Sequence, residues 1–389
     1  MSASPASLRI EEISTADDFA RLAEPWDELV RSMPRPSPFL LHGWLEEWWR
    51  HNSEAARPLV HAAFDDDRLV GGLPLCLVDR RGLQVLSFQG GSQSALADLV
   101  LDRGAPASIA KALADRAQSS GQDLALLYGL PASSRLVEAV GPDRVHLVER
   151  SEAPVLDLDG GWEEVYRAKT NGKRRNQNSR KRKQLAATGR LETQVAREPA
   201  ELESALEDAF ELHEIRWRGR PDGSGFATSA GRRFHRAALR RLAELGIPRI
   251  VTLRLDGRPI AFHYFFLFER RMYVHRLAFD PGYSRYSPGL LNTLDAIEAG
   301  AADGATIVEF LGGAERYKLE LADRFEPLYE AIGLAPTLRG RLAVAAVVNG
   351  IRLRRRAKRS EALRRFYYEG LSPVRVAAGR VVRRGQGER

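Results

Sequence analysis

Two stretches of this chain, about 190 residues apart, repeat one plan. Residues 58–78 read PLVHAAFDDDRLVGGLPLCLV, and residues 248–268 read PRIVTLRLDGRPIAFHYFFLF. Each is an apolar strand, an Asp-rich turn with an arginine, and a second apolar strand. Asp256-Gly257 is the dipeptide that a two-residue hairpin turn favours. Each hairpin follows a helical segment carrying tryptophan: Trp44, Trp48 and Trp49 before the first, Trp217 before the second. A helix-then-hairpin unit used twice predicts two domains of one fold. The length of 389 residues agrees, at roughly one domain per 100–200 residues.

Both halves continue alike. After the first hairpin, the pattern predicts a strand over 83–88, a loop, a strand near 98–101, a helix over 107–119 and a strand over 123–128. After the second come a strand over 272–278, a loop over 279–287, a helix over 288–302 and a strand over 306–311. That last unit is a βαβ crossover, which requires parallel neighbouring strands. Ser287 is a cap residue for its helix, Pro288 suits the first turn, and Asp303-Gly304 can end it. A boundary near 151–154 divides the chain into 8–150 and 151–338, with a tail over 339–389.

The tail is set apart by charge. It carries 15 Lys/Arg against 3 Asp/Glu, a net +12, which leaves −4 for the rest of a chain whose total is +8. Its apolar run 342–351 followed by RLRRRAKRS predicts an amphipathic basic helix, and residues 342–384 are expected to contact an anionic membrane peripherally. No run reaches the ~18 apolar residues of a spanning helix, and the N-terminus has no signal-peptide pattern. The expected location is the cytoplasm, with peripheral attachment at the inner membrane. Cys76 is the sole cysteine, so no intrachain disulfide forms; within the apolar run 73–78 it reads as a small core residue.

Several polar residues stand in apolar company. Glu309 lies inside IVEFL and His263 inside IAFHYFFLF. A carboxylate on a doubly covered strand must be paired, or it is a general base or substrate anchor. His263 reads as a hydrogen-bonded core residue or as a site histidine facing the cleft. The loop DPGYSRYSPG (280–289) precedes a helix N-terminus, a natural place for a pyrophosphate or carboxylate. In GGAERYK (312–318), Gly312 and Gly313 allow close backbone approach, and Lys318 is either an exposed lysine or an oxyanion or phosphate partner. KRRNQNSRKRK (173–183) holds seven basic residues and no acidic one, either as a solvated face or as a contact for the phosphates of CoA or RNA. Metal-ligand spacing, a G-x-S-x-G elbow and a P-loop are all missing, so no metal is expected.

Three blocks together resemble the CelD-like acetyltransferase family, a branch of the GNAT superfamily related to the Fem peptidyltransferases: IAFHYFF (260–266), DPGYSRYSPGLLNTLDAIEAG (280–300) and VEFLGGAERYKLELADR (308–324). FLLHGWLEEWW (39–49) and the basic segment before LAATG (185–189) fit as well, so the likeness spans most of 8–335. It implies an α/β fold of tandem GNAT-like domains with mixed sheets. It implies acyl transfer, from acetyl-CoA or another acyl-CoA, to an amine on a small molecule or glycan in polysaccharide or envelope metabolism. His263, Glu309, Tyr317 and Lys318 fall on the family's recurring positions and are the expected catalytic set. Phe279, Tyr283, Ser284, Arg285, Tyr286, Ser287 and Gly289 are expected at the donor. Asp98, Trp217, Gly312 and Gly313 are expected at the acceptor. The loop YSRYSPG (283–289) departs from the glycine-rich Q/R-x-x-G-x-G/A pyrophosphate loop of ordinary GNAT enzymes. Fem relatives use aminoacyl-tRNA instead, which is the alternative donor; a non-catalytic scaffold of the same fold is the third reading.

Overall fold

Alternating apolar strands joined by short turns dominate the chain, and they assemble into one sheet. The structure is a computed structural model that describes residues 8–52, 55–219, 225–313 and 315–359. The first half runs β1 (Leu8–Ile13), α1 (Ala16–Ala20), α2 (Ala23–Ser32), α3 (His42–Asn52), β2 (Arg57–Asp65), β3 (Arg68–Arg80), β4 (Leu83–Phe88), β5 (Val100–Leu101), α4 (Ala107–Gln118), β6 (Leu124–Pro131), α5 (Arg135–Val140) and β7 (Val145–Asp157). The second runs α6 (Trp162–Lys169), α7 (Gly172–Ala186), β8 (Leu191–Ala196), α8 (Pro199–Trp217), α9 (Ser229–Ala243), β9 (Pro248–Leu255), β10 (Arg258–Phe268), β11 (Arg271–Phe279), α10 (Pro288–Ala302), β12 (Ile307–Glu309), α11 (Arg316–Leu321), β13 (Arg324–Gly333) and α12 (Leu338–Arg359).

Strand order is β1-β2-β3-β4-β6-β13-β7-β12-β11-β10-β9-β8, with β5 beside β3. Each half contributes four antiparallel strands and then a parallel crossover: β4 to β6 through α4, and β11 to β12 through α10. The repeat seen in the sequence is therefore a repeat of fold. At the second hairpin Asp256 and Gly257 both take positive φ, 50° and 79°, the backbone a type I′ turn demands.

The halves also interlock. β7, the last strand of the first half, pairs with β12 of the second. β13, the last strand of the second, pairs with β6 of the first, and β7 and β13 pair with each other. The sequence boundary near 151–154 falls inside β7. The largest buried cluster crosses the same seam, with Trp44 of α3 edge-on to Phe234 of α9 and to Phe266 of β10. Trp44, one of the tryptophans that marked the repeat, thus packs the halves together. A separate cluster packs α10 onto the sheet through Ala296, Ile297, Met272, Val274 and Val308.

Cys76 is buried and its thiol is pushed up to about 12 by burial, so it stays an inert core residue. The tail is more integrated than its composition suggests. Val344 and Val348 of α12 are buried against Val85, Leu124, Leu126 and Ile332, and Arg339 pairs with buried Asp123 at 2.6 Å. Residues 360–384 of the expected membrane segment lie outside the described residues. Among the described residues, no helix is long and apolar enough to cross a membrane.

Candidate functional site

β11 and β12 pair over only three residues, 271–273 against 307–309. Beyond Tyr273 the pairing stops, because β12 ends at Glu309 while β11 runs on to Phe279. A gap between parallel strands, followed by a helix N-terminus, is the ligand position of an open α/β sheet. The loop from β11 forms a 3₁₀ turn (Pro281–Tyr286), fixed where Asp280 accepts from the Gly282 N–H at 2.8 Å. Ser287 does not cap α10 with its side chain. It sits in the left-handed region, φ 55°, and its hydroxyl accepts from Lys181 of α7 at 2.5 Å. The expected cap is corrected for a backbone reason: the residue that turns the chain from the 3₁₀ turn into the helix cannot also hold the extended N-cap geometry. Because Pro288 has no N–H and Leu291 donates to the Ser287 carbonyl, Gly289 and Leu290 are the N–H groups left open at the positive end of α10. A Cβ on Gly289 would stand 2.8 Å from the Phe279 ring, so glycine lets strand and helix close up there. Tyr283 is partly buried, Ser284 and Arg285 are exposed, and Tyr286 is buried under the Arg285 guanidinium, 4.6 Å from its ring centre. The Arg216 guanidinium lies 4.6 Å over Phe279. The loop, α7 and these arginines form one cationic wall.

Glu309 closes the gap at its base and is fully buried. It accepts from Arg35 at 2.7 Å and from Arg271 at 2.6 Å. Two guanidiniums on one carboxylate make it the paired residue, not a free base. Arg35 comes from the first half, where Pro34 and Pro36 bracket it, and it also meets Glu326 at 3.0 Å. The Tyr273 hydroxyl donates to the Pro36 carbonyl.

His263 and Lys318 are both buried and face each other electrostatically. Neither ring nitrogen of His263 has a hydrogen-bond partner among the described residues. Burial, with the Lys318 charge second, lowers its pKa to about 3, so the imidazole is neutral and too weak a base for proton abstraction at neutral pH. The Lys318 ammonium donates to the Gly312 carbonyl at 2.9 Å and the Phe310 carbonyl at 3.4 Å, and pairs with Glu315 at 2.9 Å. Its three donors clamp the turn after β12, where Gly313 takes φ 110°. Lys318 is therefore buried, and the reading of it as an exposed lysine is corrected on that ground. Tyr317 lies against Phe310 and Thr293, and burial raises its phenol above the usual range. Gly312 is exposed, but its carbonyl holds Lys318; Trp217, at the end of α8, is 39% exposed, and no described contact draws it into this group.

The first half has the matching opening. β4 and β6 pair only at 85–86 against 124–125 and then separate. A cavity of about 380 Å³ lies there, lined by Ser87, Gln89, Gly91, Ser92, Ser94 and Tyr128, among others. The Ser87 hydroxyl and the Gln89 side-chain carbonyl are buried without a partner among the described residues. Ala97 also lines it, and the next residue is Asp98. Asp98 accepts from the Ser134 hydroxyl at 2.5 Å and the Leu99 N–H at 2.8 Å. Burial nevertheless raises its pKa to about 7, with Arg135 and Arg35 acting against the shift. Arg35, which binds Glu309 of the other half, thus also acts on Asp98 through its charge.

The sequence reading missed Arg35, Arg271 and two buried histidines. His235 meets Gln93 at 2.9 Å, and His275 lies 5.2 Å from His235, tilted, and 5.2 Å from Tyr264, edge-on; neither His275 nitrogen has a partner among the described residues. The signal that flagged His263, a histidine inside an apolar strand, applies equally to His275 in MYVHRLAF. Nothing local flags Arg35, whose partner Glu309 is 274 residues away. Among the described residues no group of side chains is arranged to hold a metal ion.

Residues 172–319 match the family model of the acetyltransferase (GNAT) domain. No curated protein matches the chain. Among solved structures, the chain is similar to the C-terminal domain (DUF2156) of a putative lysylphosphatidylglycerol synthetase from Agrobacterium fabrum, at 14% identity over 86% of this chain and 96% of that one, TM-score 0.53. It is similar to FemX at 12% identity over 82% and 96%, TM-score 0.55. A conserved protein of unknown function from Bacteroides thetaiotaomicron VPI-5482 matches at 13% over 84% and 100%, TM-score 0.53. At such identities these likenesses concern the fold alone. The segment from α7 into α11, which contains the gap, the cationic wall and Glu309, is the part that resembles the GNAT acetyltransferase domain, and it is set in an α/β fold with one large mixed sheet.

Proposed function

We propose that this protein is an N-acyltransferase that moves an acyl group, acetyl first among them, from acyl-CoA to an amine. The observation that carries the reading is the GNAT domain match over the βαβ unit whose strands part in front of a free helix N-terminus. The likeness of 260–266, 280–300 and 308–324 to the CelD-like branch supports acetyl transfer and a glycan or envelope acceptor.

In this reading the donor's phosphates lie on the Gly289 and Leu290 N–H groups, with Lys181 and Arg285 beside them. The thioester points into the gap beyond Tyr273. The acceptor enters from the first-half cavity, and its amine meets Asp98, whose raised pKa suits proton abstraction near neutrality. The amine nitrogen attacks the thioester carbonyl, its proton passes to Asp98, and the C–S bond breaks. The departing thiolate takes a proton from water, while Tyr317, which burial keeps protonated, donates a hydrogen bond to the sulfur. The charge of Arg35, held by Glu309, favours the charged form of Asp98 that accepts the proton.

Acetyl-CoA binding by calorimetry, followed by transfer of labelled acetyl to a panel of amines including hexosamines, tests this. We expect binding that falls about tenfold in Lys181→Ala, as for loss of one charge-assisted contact. One observation favours a second reading, an aminoacyl-tRNA donor: α7 turns Lys173, Arg180 and Lys183 to solvent beside the same loop. Binding of aminoacyl-tRNA but of no acyl-CoA overturns the first reading in favour of the second.

A further inference from the structure

Helix α12 uses one apolar face internally and leaves another bare. Its inner face packs Val344 and Val348 on the sheet, with Val347 and Ile351 partly covered. On the outside Leu338, Leu342 and Leu353 are 74%, 65% and 67% exposed, with Ala345 and Ala346 exposed between them. Helical periodicity places these residues on the side opposite the buried valines, and places Arg341, Arg352 and Arg356 along one edge of that stripe. All three arginines are exposed. From 338 to 359 the chain has eight Lys/Arg and no Asp/Glu. A solvent-facing helix ordinarily carries mixed charges instead of leucines. At the Arg352 edge, a notch of about 370 Å³ opens between α12 and β7, walled by Val145, Leu147, Val148, Val348 and Ile351. Arg352 and Arg355 also line it, and Leu147 is 46% exposed.

We propose that α12 is an in-plane anchor that docks this protein on an anionic phospholipid bilayer. The three leucines enter the boundary of the acyl region, the flanking arginines meet lipid phosphates, and the notch receives part of one lipid at Arg352 and Arg355. Charge selects this occupant over a second copy of the chain. A two-fold contact would set the outer face against itself, bringing Arg341, Arg352 and Arg356 of one copy onto those of the other with no carboxylate from the helix between them. The helix does not cross the bilayer, being too short in apolar length. The inference is independent of the acyl-transfer reading.

The test is co-sedimentation of the full chain with vesicles of phosphatidylcholine alone and of phosphatidylcholine with phosphatidylglycerol, at low and high salt. Binding is expected only with phosphatidylglycerol and is expected to weaken with salt. The double variant Leu342→Glu/Leu353→Glu should bind at least about tenfold more weakly, with unchanged circular dichroism and thermal midpoint, because both side chains face outward. If this variant binds like the wild type, the basic residues beyond the helix act alone and the anchor is wrong. If wild type ignores phosphatidylglycerol, or elutes as a dimer that the variant abolishes, the surface belongs to another occupant.

Discussion

Asp98 shows how one buried carboxyl can serve two ends. Its folded pKa, about 7, lies above the unfolded value of about 3.9. Between these values the folded state holds a proton that the unfolded state has lost, so its contribution to stability falls as pH rises from about 4 to about 7. Asp98→Asn should remove that slope and, in the proposed role, abolish the rise of kcat with pH through about 7. A pH profile unchanged in the variant would end the base assignment. The histidines act in the opposite direction. Burial lowers His263 to about 3 and His61 to about 4, and depresses His42, His235 and His275 as well. Each is stabilising above its unfolded pKa near 6.5 and loses that contribution as pH falls toward its folded value. Five such groups against two aspartates raised by burial, Asp98 and Asp27, predict that the urea midpoint drops as pH goes below about 6.5. Glu309→Gln leaves buried Arg35 with only a neutral partner at that position. We expect a stability loss of about 3 kcal/mol by urea unfolding, as for a broken buried pair. A loss of turnover with unchanged stability would instead return Glu309 to the chemistry.

At the scale of elements, the unit β11, 3₁₀ turn, α10 is set by a few special residues. Pro288 fixes the first turn of α10, Ser287 supplies the left-handed step, and Gly289 gives the room that Phe279 needs. Gly289→Ala should push the Phe279 ring and shift the Gly289 and Leu290 N–H groups. The expected cost is about 1–3 kcal/mol, as for overpacking, together with weaker acyl-CoA binding. Equal affinity in wild type and variant would place the donor elsewhere, with the first-half cavity at 87–94 as the next position to examine. Helix α10 itself was legible from 287–304, since proline at its start and Asp-Gly at its end are local signals. The cap was not, because the left-handed Ser287 depends on the preceding 3₁₀ turn and on Lys181, which is distant in sequence.

For the whole molecule, the exchange of β7 and β13 means that neither half closes its own sheet. Residues 160–338 made alone would lack β7, the partner of both β12 and β13, and would expose an unpaired edge. We expect such a fragment to aggregate while the full chain stays monodisperse by light scattering. Removing residues 338–389 uncovers Val85, Leu124, Leu126 and Ile332 and strips Asp123 of Arg339. At ~1.5–3 kcal/mol per buried aliphatic side chain, losing Val344 and Val348 should lower the unfolding free energy by about 4 kcal/mol. A truncated chain with an unchanged urea midpoint would show that the helix packs only loosely.

Periodicity and turn chemistry are local, and they were enough to determine two copies of one α/β unit, the parallel crossover over 272–311, the inert Cys76, and the separate charge of the last fifty residues. The blocks around His263, 280–300 and Glu309 also pointed to the segment that the GNAT family model matches. Only the tertiary structure decided which polar residues are free. Arg35 reaches Glu309 across 274 positions, and Lys318 turns inward onto carbonyls six and eight residues before it. Asp98 has its proton affinity set by burial beneath elements from elsewhere in the first half. The strand exchange and the docking of α12 were hidden for the same reason. Hydrogen bonds between distant strands, and burial of one face of a helix, depend on what lies opposite in space, and a sequence pattern records only that an apolar face exists.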